Sequence, residues 1–232
     1  MNVFFSFVEP QKFSDDGIEQ HIHVNHVAPA FLSLLLLPSL LRAPSARIIN
    51  VNSMVQLYGE IDSKSWNNKI EDHEFSSFRA YRSSKLAHLM FLKVLASKLS
   101  DQKKASVECI AVHPGAVSTK ITTGKQKEKH IFFLLTAAEG NVFLSRSYSI
   151  LFFSEIDDVF FLITGARSVL FSATSPDVGE SLVNGFGYYS CDCKPSRVSP
   201  KALDNEACLD VWQKTIDILE LNEDDLIRLN DE

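Results

Sequence analysis

The sequence predicts an α/β fold with parallel strands, and three observations carry that prediction. Short β-branched runs at residues 47–52 and 106–112 have the profile of strands buried on both faces. Longer segments with apolar residues at helical spacing precede, separate and follow them. The resulting order of helix, strand, helix, strand is what a parallel sheet with crossover helices requires.

Taken in order, residues 15–42 are expected to be helical. Ser14 is placed to cap that helix, with Asp15 and Asp16 in a first turn where the dipole favours negative charge. Ile18, Ile22, Asn25 and His26 lead to Pro29 and a leucine-rich run, and Pro29 and Pro38 predict a kink and a frayed end. Arg47-Ile-Ile-Asn-Val-Asn52 is the first strand, and the polar residues 56–76 are a loop. Helical spacing returns over 77–99 through Leu86, Leu89, Met90, Val94 and Leu95. The second strand, 106–112, ends at His113-Pro114-Gly115. Beyond it, 120–130 reads as a polar, basic loop, in which Lys125, Lys127 and Lys129 are solvated charges. Residues 131–163 are rich in Phe and Leu without a clean period, 166–173 are helical, 185–191 form a short final strand, and 204–221 form an amphipathic helix. There is no internal repeat and no second domain boundary, so residues 1–232 read as one domain.

Composition excludes several classes of function. Twenty-three Lys and Arg against 29 Asp and Glu give a net charge of −6, without the clustered basic residues that nucleic acid needs. With 45% apolar and 22% charged residues the chain has globular composition and can bury a real core. Four cysteines in 232 residues are no disulfide framework, which places the protein inside the cell in a reducing compartment. Cys191 and Cys193 form a C-x-C without a second pair, and His21, His23 and His26 cannot share one helix face, so no metal site is expected. Met1–Pro10 has no basic segment or cleavage site of a signal peptide. The apolar stretch 30–41 is broken by Ser33, Pro38 and Ser39 and is too short for a bilayer, while Arg146, Glu155, Asp157 and Asp158 interrupt 142–163. No transmembrane span is expected in this chain, and the oligomeric state is left open.

The chemistry concentrates at Tyr81-Arg-Ser-Ser-Lys85, with Ser53 just beyond the first strand. A Tyr and a Lys four apart share one helix face. An ammonium beside a phenol favours the phenolate and draws its pKa toward neutrality, so the pair can act as acid or base on a carbonyl or alcohol. Ser53 leaves its strand at the carboxyl end, where open α/β sheets hold their ligands, and its hydroxyl can orient the substrate oxygen. The motif by itself is short and recurs by chance.

Its context gives it weight. Asn25, Ser53 after Ile-Asn-Val-Asn, Tyr81, Lys85 and then Pro114-Gly115 after a strand come in an order that resembles the short-chain dehydrogenases/reductases, from about Glu9 to Leu221. The long gap between Ser53 and Tyr81 resembles the retinol-dehydrogenase-like branch of that family. Arg47-Ile-Ile-Asn-Val-Asn-Ser53, Ser83-Ser-Lys-Leu-Ala87, Arg167-Ser-Val-Leu-Phe-Ser-Ala-Thr174, Cys193-Lys-Pro195 and Val211-Trp-Gln-Lys214 are similar to the plant Forever Young-type oxidoreductases. The resemblance implies a Rossmann-like parallel sheet with flanking helices, NAD or NADP as cofactor, and a small carbonyl or alcohol substrate of lipophilic character. It implies Tyr81 as catalytic acid/base, Lys85 as the residue that lowers its pKa and holds the nicotinamide ribose, and Ser53 as the group that binds the reacting oxygen. Asn25 would complete a proton relay through water to Lys85, and Pro114, Gly115 and Thr119 would contact the nicotinamide end.

Two departures qualify the likeness. The family's T-G-x-x-x-G-x-G turn, which holds the pyrophosphate on backbone amides and a helix dipole, has no counterpart here, and the chain begins where the family would be finishing its fourth strand. The expectation is therefore an N-terminally truncated chain lacking the first three strands and the glycine-rich turn, with impaired cofactor binding. Ile163-Thr-Gly-Ala-Arg167 does not replace that turn, since Val169 and Phe171 stand where glycines are needed, and it reads as the start of a helix. The second departure is an insert at about 141–162, between Glu139-Gly140 and Ala166-Arg167. An alternative transcript or gene-model artefact is one origin for it, and a hydrophobic lid over the substrate is the functional alternative. A non-catalytic truncated isoform or interaction fragment stands as the alternative to an active oxidoreductase. His113 is expected to be a loop prop and not a base.

Overall fold

A computed structural model of the chain describes residues 10–62, 66–101, 107–115 and 155–222. The first helical element has three parts: α1 (Gln20–Ile22), a π-helical stretch His23–Val27, and α2 (Ala28–Leu41). Strand β1 (Ala46–Val51) follows, then a 3-10 turn at Met54–Tyr58 and helix α3 (Ser77–Asp101). Strand β2 (Val107–Val112) precedes α4 (Glu155–Thr174), β3 (Phe186–Tyr189) and α5 (Asn205–Ile218).

The three strands form a parallel sheet in the order β1-β2-β3, with Ala46 opposite Val107 and Cys109 opposite Phe186. Side chains alternate across it. Cys109 and Ala111 join the cluster that contains Leu89, Phe91 and Leu92 of α3, whereas Ile110 and Val112 pack with Val169 and Phe171 of α4. The result is a Rossmann-like arrangement with helices on both faces of the sheet. Helix α5 lies on α3, with Cys208, Val211, Trp212, Thr215 and Ile216 forming its buried stripe and Phe91 stacked on Trp212 at 4.9 Å. Arg47 ties the layers at the other end: its guanidinium pairs with Glu108 at 2.6 Å and donates to the Ser172 and Ser175 carbonyls at the end of α4.

Several expectations need correction. The first helix begins at Gln20, capped by Glu19, whose carboxylate accepts from the His21 and Ile22 amides. Ser14 instead closes a turn, because Gly17 at φ +73° breaks any helix through Asp15 and Asp16. At Pro29, whose ring would crowd the Asn25 carbonyl four residues back, the backbone widens into a π-helical stretch so that the Ala28 amide reaches His23. Helix continuity gives Gln20–Leu41 the length and mean hydropathy of a membrane span, 22 residues at 1.7, well beyond the apolar stretch 30–41. One stripe of it packs Ile22, Leu34 and Leu37 into the core and buries Asn25 and His26. Strand β1 is half-buried along its whole length, because it stands at the sheet edge among the described residues. Gly165 lies buried inside the continuous helix α4 and not at a helix start, so its amide is committed to the helix and no phosphate turn forms there. Of the expected insert, 155–162 extend α4 toward its N-terminus, and the rest lies outside the described residues. All four cysteines are free.

Candidate active site

Ser76 accepts from the Arg79 amide at 3.3 Å and starts α3, which carries Tyr81 and Lys85 one turn apart. The Lys85 ammonium donates to the Val51 carbonyl at the end of β1, 3.2 Å away, and lies 5.7 Å from the centre of the Tyr81 ring. Ser53 follows β1 in extended conformation, with its hydroxyl close enough to the Tyr81 phenol to lower its pKa. Ser53, Tyr81 and Lys85 are thus drawn together at the carboxyl end of β1.

Asn52 holds this corner. Its backbone amide donates to Val112 at 2.6 Å, its side-chain amide to the Lys85 carbonyl at 3.0 Å, and its side-chain oxygen accepts from the Ser53 amide at 2.7 Å. One buried residue therefore stitches β1 to β2 through its backbone and to α3 through its side chain, beside the site. A polar residue at the end of a β-branched strand was the available signal, and sequence reasoning passed over it.

Asn25 sits in the π-helical stretch, buried against α3. Its side-chain amide donates to the Ser84 hydroxyl at 3.1 Å, and Ser84 donates to the Tyr81 carbonyl at 2.7 Å. Asn25 thus reaches α3 directly through Ser84, and its side-chain oxygen is buried without a partner among the described residues. Pro114 and Gly115 continue from β2 at the same end of the sheet, with Gly115 at φ +77°. A Cβ there would stand 3.1 Å from both Cβ and Sγ of Cys191, so glycine lets this loop lie against the turn after β3. Thr119 lies outside the described residues.

Electrostatics depart from the expected tuning. Burial pushes the Tyr81 phenol up, opposed by the Ser53 hydroxyl, so it is not drawn toward neutrality. The dehydration of a phenolate at this depth outweighs the neighbouring ammonium. Lys85 is itself brought down to about 8 by burial. His88, three residues on, is brought down to about 3 by burial and by the Lys85 charge, and burial with His88 holds His26 well below its usual value. Burial also lowers His113, opposed by Asp192. Tyr188 of β3 is pushed up by burial, with the Gln56 side chain opposing and Tyr81 adding to the rise, which puts a second phenol near the first. Its hydroxyl is buried without a partner among the described residues, and no sequence pattern had marked it.

A neutral phenol near a hydroxyl and beside a buried ammonium can hand a proton to an oxygen placed against it. One of the three donors of the Lys85 ammonium is spent on Val51, and the other two match the hydroxyl pair of a ribose, so the nicotinamide-ribose end of a dinucleotide fits these residues. Among the described residues no group of three or more His, Cys, Asp or Glu is arranged to hold a metal ion.

No family model matches the chain. The chain is 37% identical over 224 residues to the dehydrogenase/reductase SDR family member FEY of Arabidopsis thaliana, covering 94% of this chain and 54% of that protein. Retinol dehydrogenase 14 of Mus musculus is 30% identical over 206 residues, covering 88% and 53%, and retinol dehydrogenase 12 of the same species is 30% identical over 210 residues, covering 90% and 57%. The chain thus spans about half the length of the curated relatives it matches. In fold it is similar to the crystal structure of an uncharacterized protein from Mycobacterium Paratuberculosis, with a TM-score of 0.65 at 23% identity, covering 95% of this chain and 66% of that one. Its parallel sheet between helices and the relatives matched along nearly all of its length together show that the chain belongs to the short-chain dehydrogenase/reductase family.

Proposed function

We propose that these residues form the proton-transfer half of an NAD(P)-dependent oxidoreductase site acting on a lipophilic carbonyl or alcohol. The observation that carries the reading is the Lys85 ammonium 5.7 Å from the centre of the Tyr81 ring, with the Ser53 hydroxyl near the phenol. The names of the Arabidopsis and mouse relatives support the class of reaction and of substrate. A bound nicotinamide would supply or accept the hydride at the substrate carbon. Tyr81 gives its proton to the substrate oxygen during reduction, a role that suits a phenol kept protonated by burial. Ser53 holds that oxygen against Tyr81. Lys85, charged below about pH 8, stabilises the phenolate left behind and binds the ribose hydroxyls with its two remaining donors. Pro114 and Gly115 flank the nicotinamide end, and the family likeness extends that role to Thr119, outside the described residues. Asn25 links the helix through Ser84 to this wall of the site. Tyr81→Phe should abolish carbonyl reduction while leaving the melting temperature unchanged, and near-normal turnover by that variant would overturn the assignment.

A second reading has its own observation. No T-G-x-x-x-G-x-G turn occurs in the sequence, so the pyrophosphate half of the cofactor has no cradle in this chain. Losing several charge-assisted hydrogen bonds, each worth roughly 1.5–3 kcal/mol, lowers affinity by orders of magnitude. This chain alone is then a poor binder of NAD(P), impaired as an enzyme or an interaction fragment. Calorimetric titration with NADH and NADPH decides between the readings: micromolar affinity for either would set the second aside.

A further inference from the structure

The C-terminal helix touches the stretch that carries Asn25. His26 Nε2 is 2.8 Å from the Thr215 hydroxyl, and both residues are fully buried. The Thr215 hydroxyl donates its one hydrogen to the Val211 carbonyl at 2.6 Å. It must therefore accept from His26, which fixes the proton on Nε2 and leaves Nδ1 bare. The ring is held from all sides, by Trp66 at 5.1 Å, His88 at 5.6 Å and Phe91 at 5.9 Å. Neighbouring residues of the π-helical stretch are thus pinned in opposite senses, Asn25 to α3 through Ser84 and His26 to α5 through Thr215.

We propose that Thr215 is a positioning residue for Asn25: its hydrogen bond to His26 locks the π-helical stretch in the register that turns the Asn25 amide onto Ser84. A π-helical turn accommodates one residue more than an α-turn, and slipping by one residue rotates a side chain by roughly 100° about the axis. Pro29 prevents the stretch from closing into a regular α-helix but does not choose which residue faces α3. The His26–Thr215 bond makes that choice, which gives α5, more than 180 residues away in sequence, a hold on the site. The functional consequence rests on the reading of Asn25 as part of the site, whereas the geometric claim stands or falls without it.

The test follows the side-chain amide of Asn25 by 15N-resolved NMR in the full chain, its signal identified by its loss in Asn25→Asp. Thr215→Val should shift that signal and speed its exchange with solvent by about tenfold or more, as local opening does. Thr215→Ser should restore both. Thr215→Ala gives the same answer if the branched valine crowds the His26 ring. Val211→Ala, a core truncation one turn away on α5, controls for lost stability and should leave the signal in place. An unmoved Asn25 amide in both Thr215→Val and Thr215→Ala, or an equal shift in Val211→Ala, would overturn the proposal. Unchanged turnover in Asn25→Ala would sink only the reading of Asn25 as part of the site.

Discussion

Helix α2 carries no charged residue between Ala28 and Leu41, yet Phe31, Leu32, Leu35 and Leu36 face outward at 39–59% exposure. Helix α3 carries Arg79, Arg82, Lys85, His88, Lys93 and Lys98, yet its residues 86–92 are buried to within 1%. The more apolar helix is the more exposed one. Burial here follows position in the layers and not composition: α3 has the sheet on one side and α5, the 3-10 turn and the π-helical stretch on the others, whereas α2 meets the core along one stripe. The polar groups of α3 tolerate that depth because the surroundings answer them, Lys85 through Val51, Ser84 through Asn25 and Tyr81, and Lys93 through the Ala202 carbonyl.

The largest effect expected from this contrast is at Phe91, stacked between His88 and Trp212 in the middle of α3. Phe91→Ala should cost about 3–5 kcal/mol in chemical denaturation, since both neighbours are held in place by further contacts and cannot collapse into the space. A loss below about 1 kcal/mol would mean that the α3–α5 seam is loosely packed, and the contrast with α2 would fail.

Protonation gives the next effect in size. His26 and His88 are both depressed in the folded chain, His88 to about 3, and take their ordinary value near 6.5 when unfolded. The unfolded chain then binds more protons between those values, so the stability these two histidines contribute is complete above about pH 6.5 and is lost as pH falls toward 3. Lys85 acts in the same sense at the other end: depressed from 10.5 to about 8, it lets stability rise with pH through that window. His88→Asn should flatten the acid limb in melting experiments, whereas changes on α2, which has no titratable group, should leave it alone. An acid limb of unchanged slope in His88→Asn would move the source of the pH dependence elsewhere.

How much of this was legible in the sequence differs between backbone and site. The alternation of elements could be read because β-branched runs and helical spacing are local signals, and Tyr81, Lys85 and Ser53 stood out for the same reason: four residues are one turn, and Ser53 ends a strand. What could not be read depends on neighbours distant in the chain. Nothing near Ile48 says that β1 stands at an edge, and nothing near Tyr81 says that burial outweighs the Lys85 charge. Asn52 looks like any strand-end polar residue until Lys85 and Val112 are brought to it. Glu19 replaced Ser14 as the cap because the glycine between them adopts a left-handed conformation that composition alone did not reveal.

The smallest effect expected is on α2 itself. Leu35 is 59% exposed on the outward face, with Leu32 and Leu36 beside it, so removing its side chain takes little apolar surface from the core. Leu35→Ser should therefore change unfolding free energy by no more than about 0.5 kcal/mol, the usual range for surface positions. Hydration argues for a second outcome: an exposed apolar patch favours self-association, and a hydroxyl in its middle should weaken it. Sedimentation velocity across a concentration series measures that change, and denaturation measures the first. A loss of stability on the scale of Phe91→Ala would show that the outward face of α2 is packed in solution, and the difference between the two helices would then lie in what covers each of them.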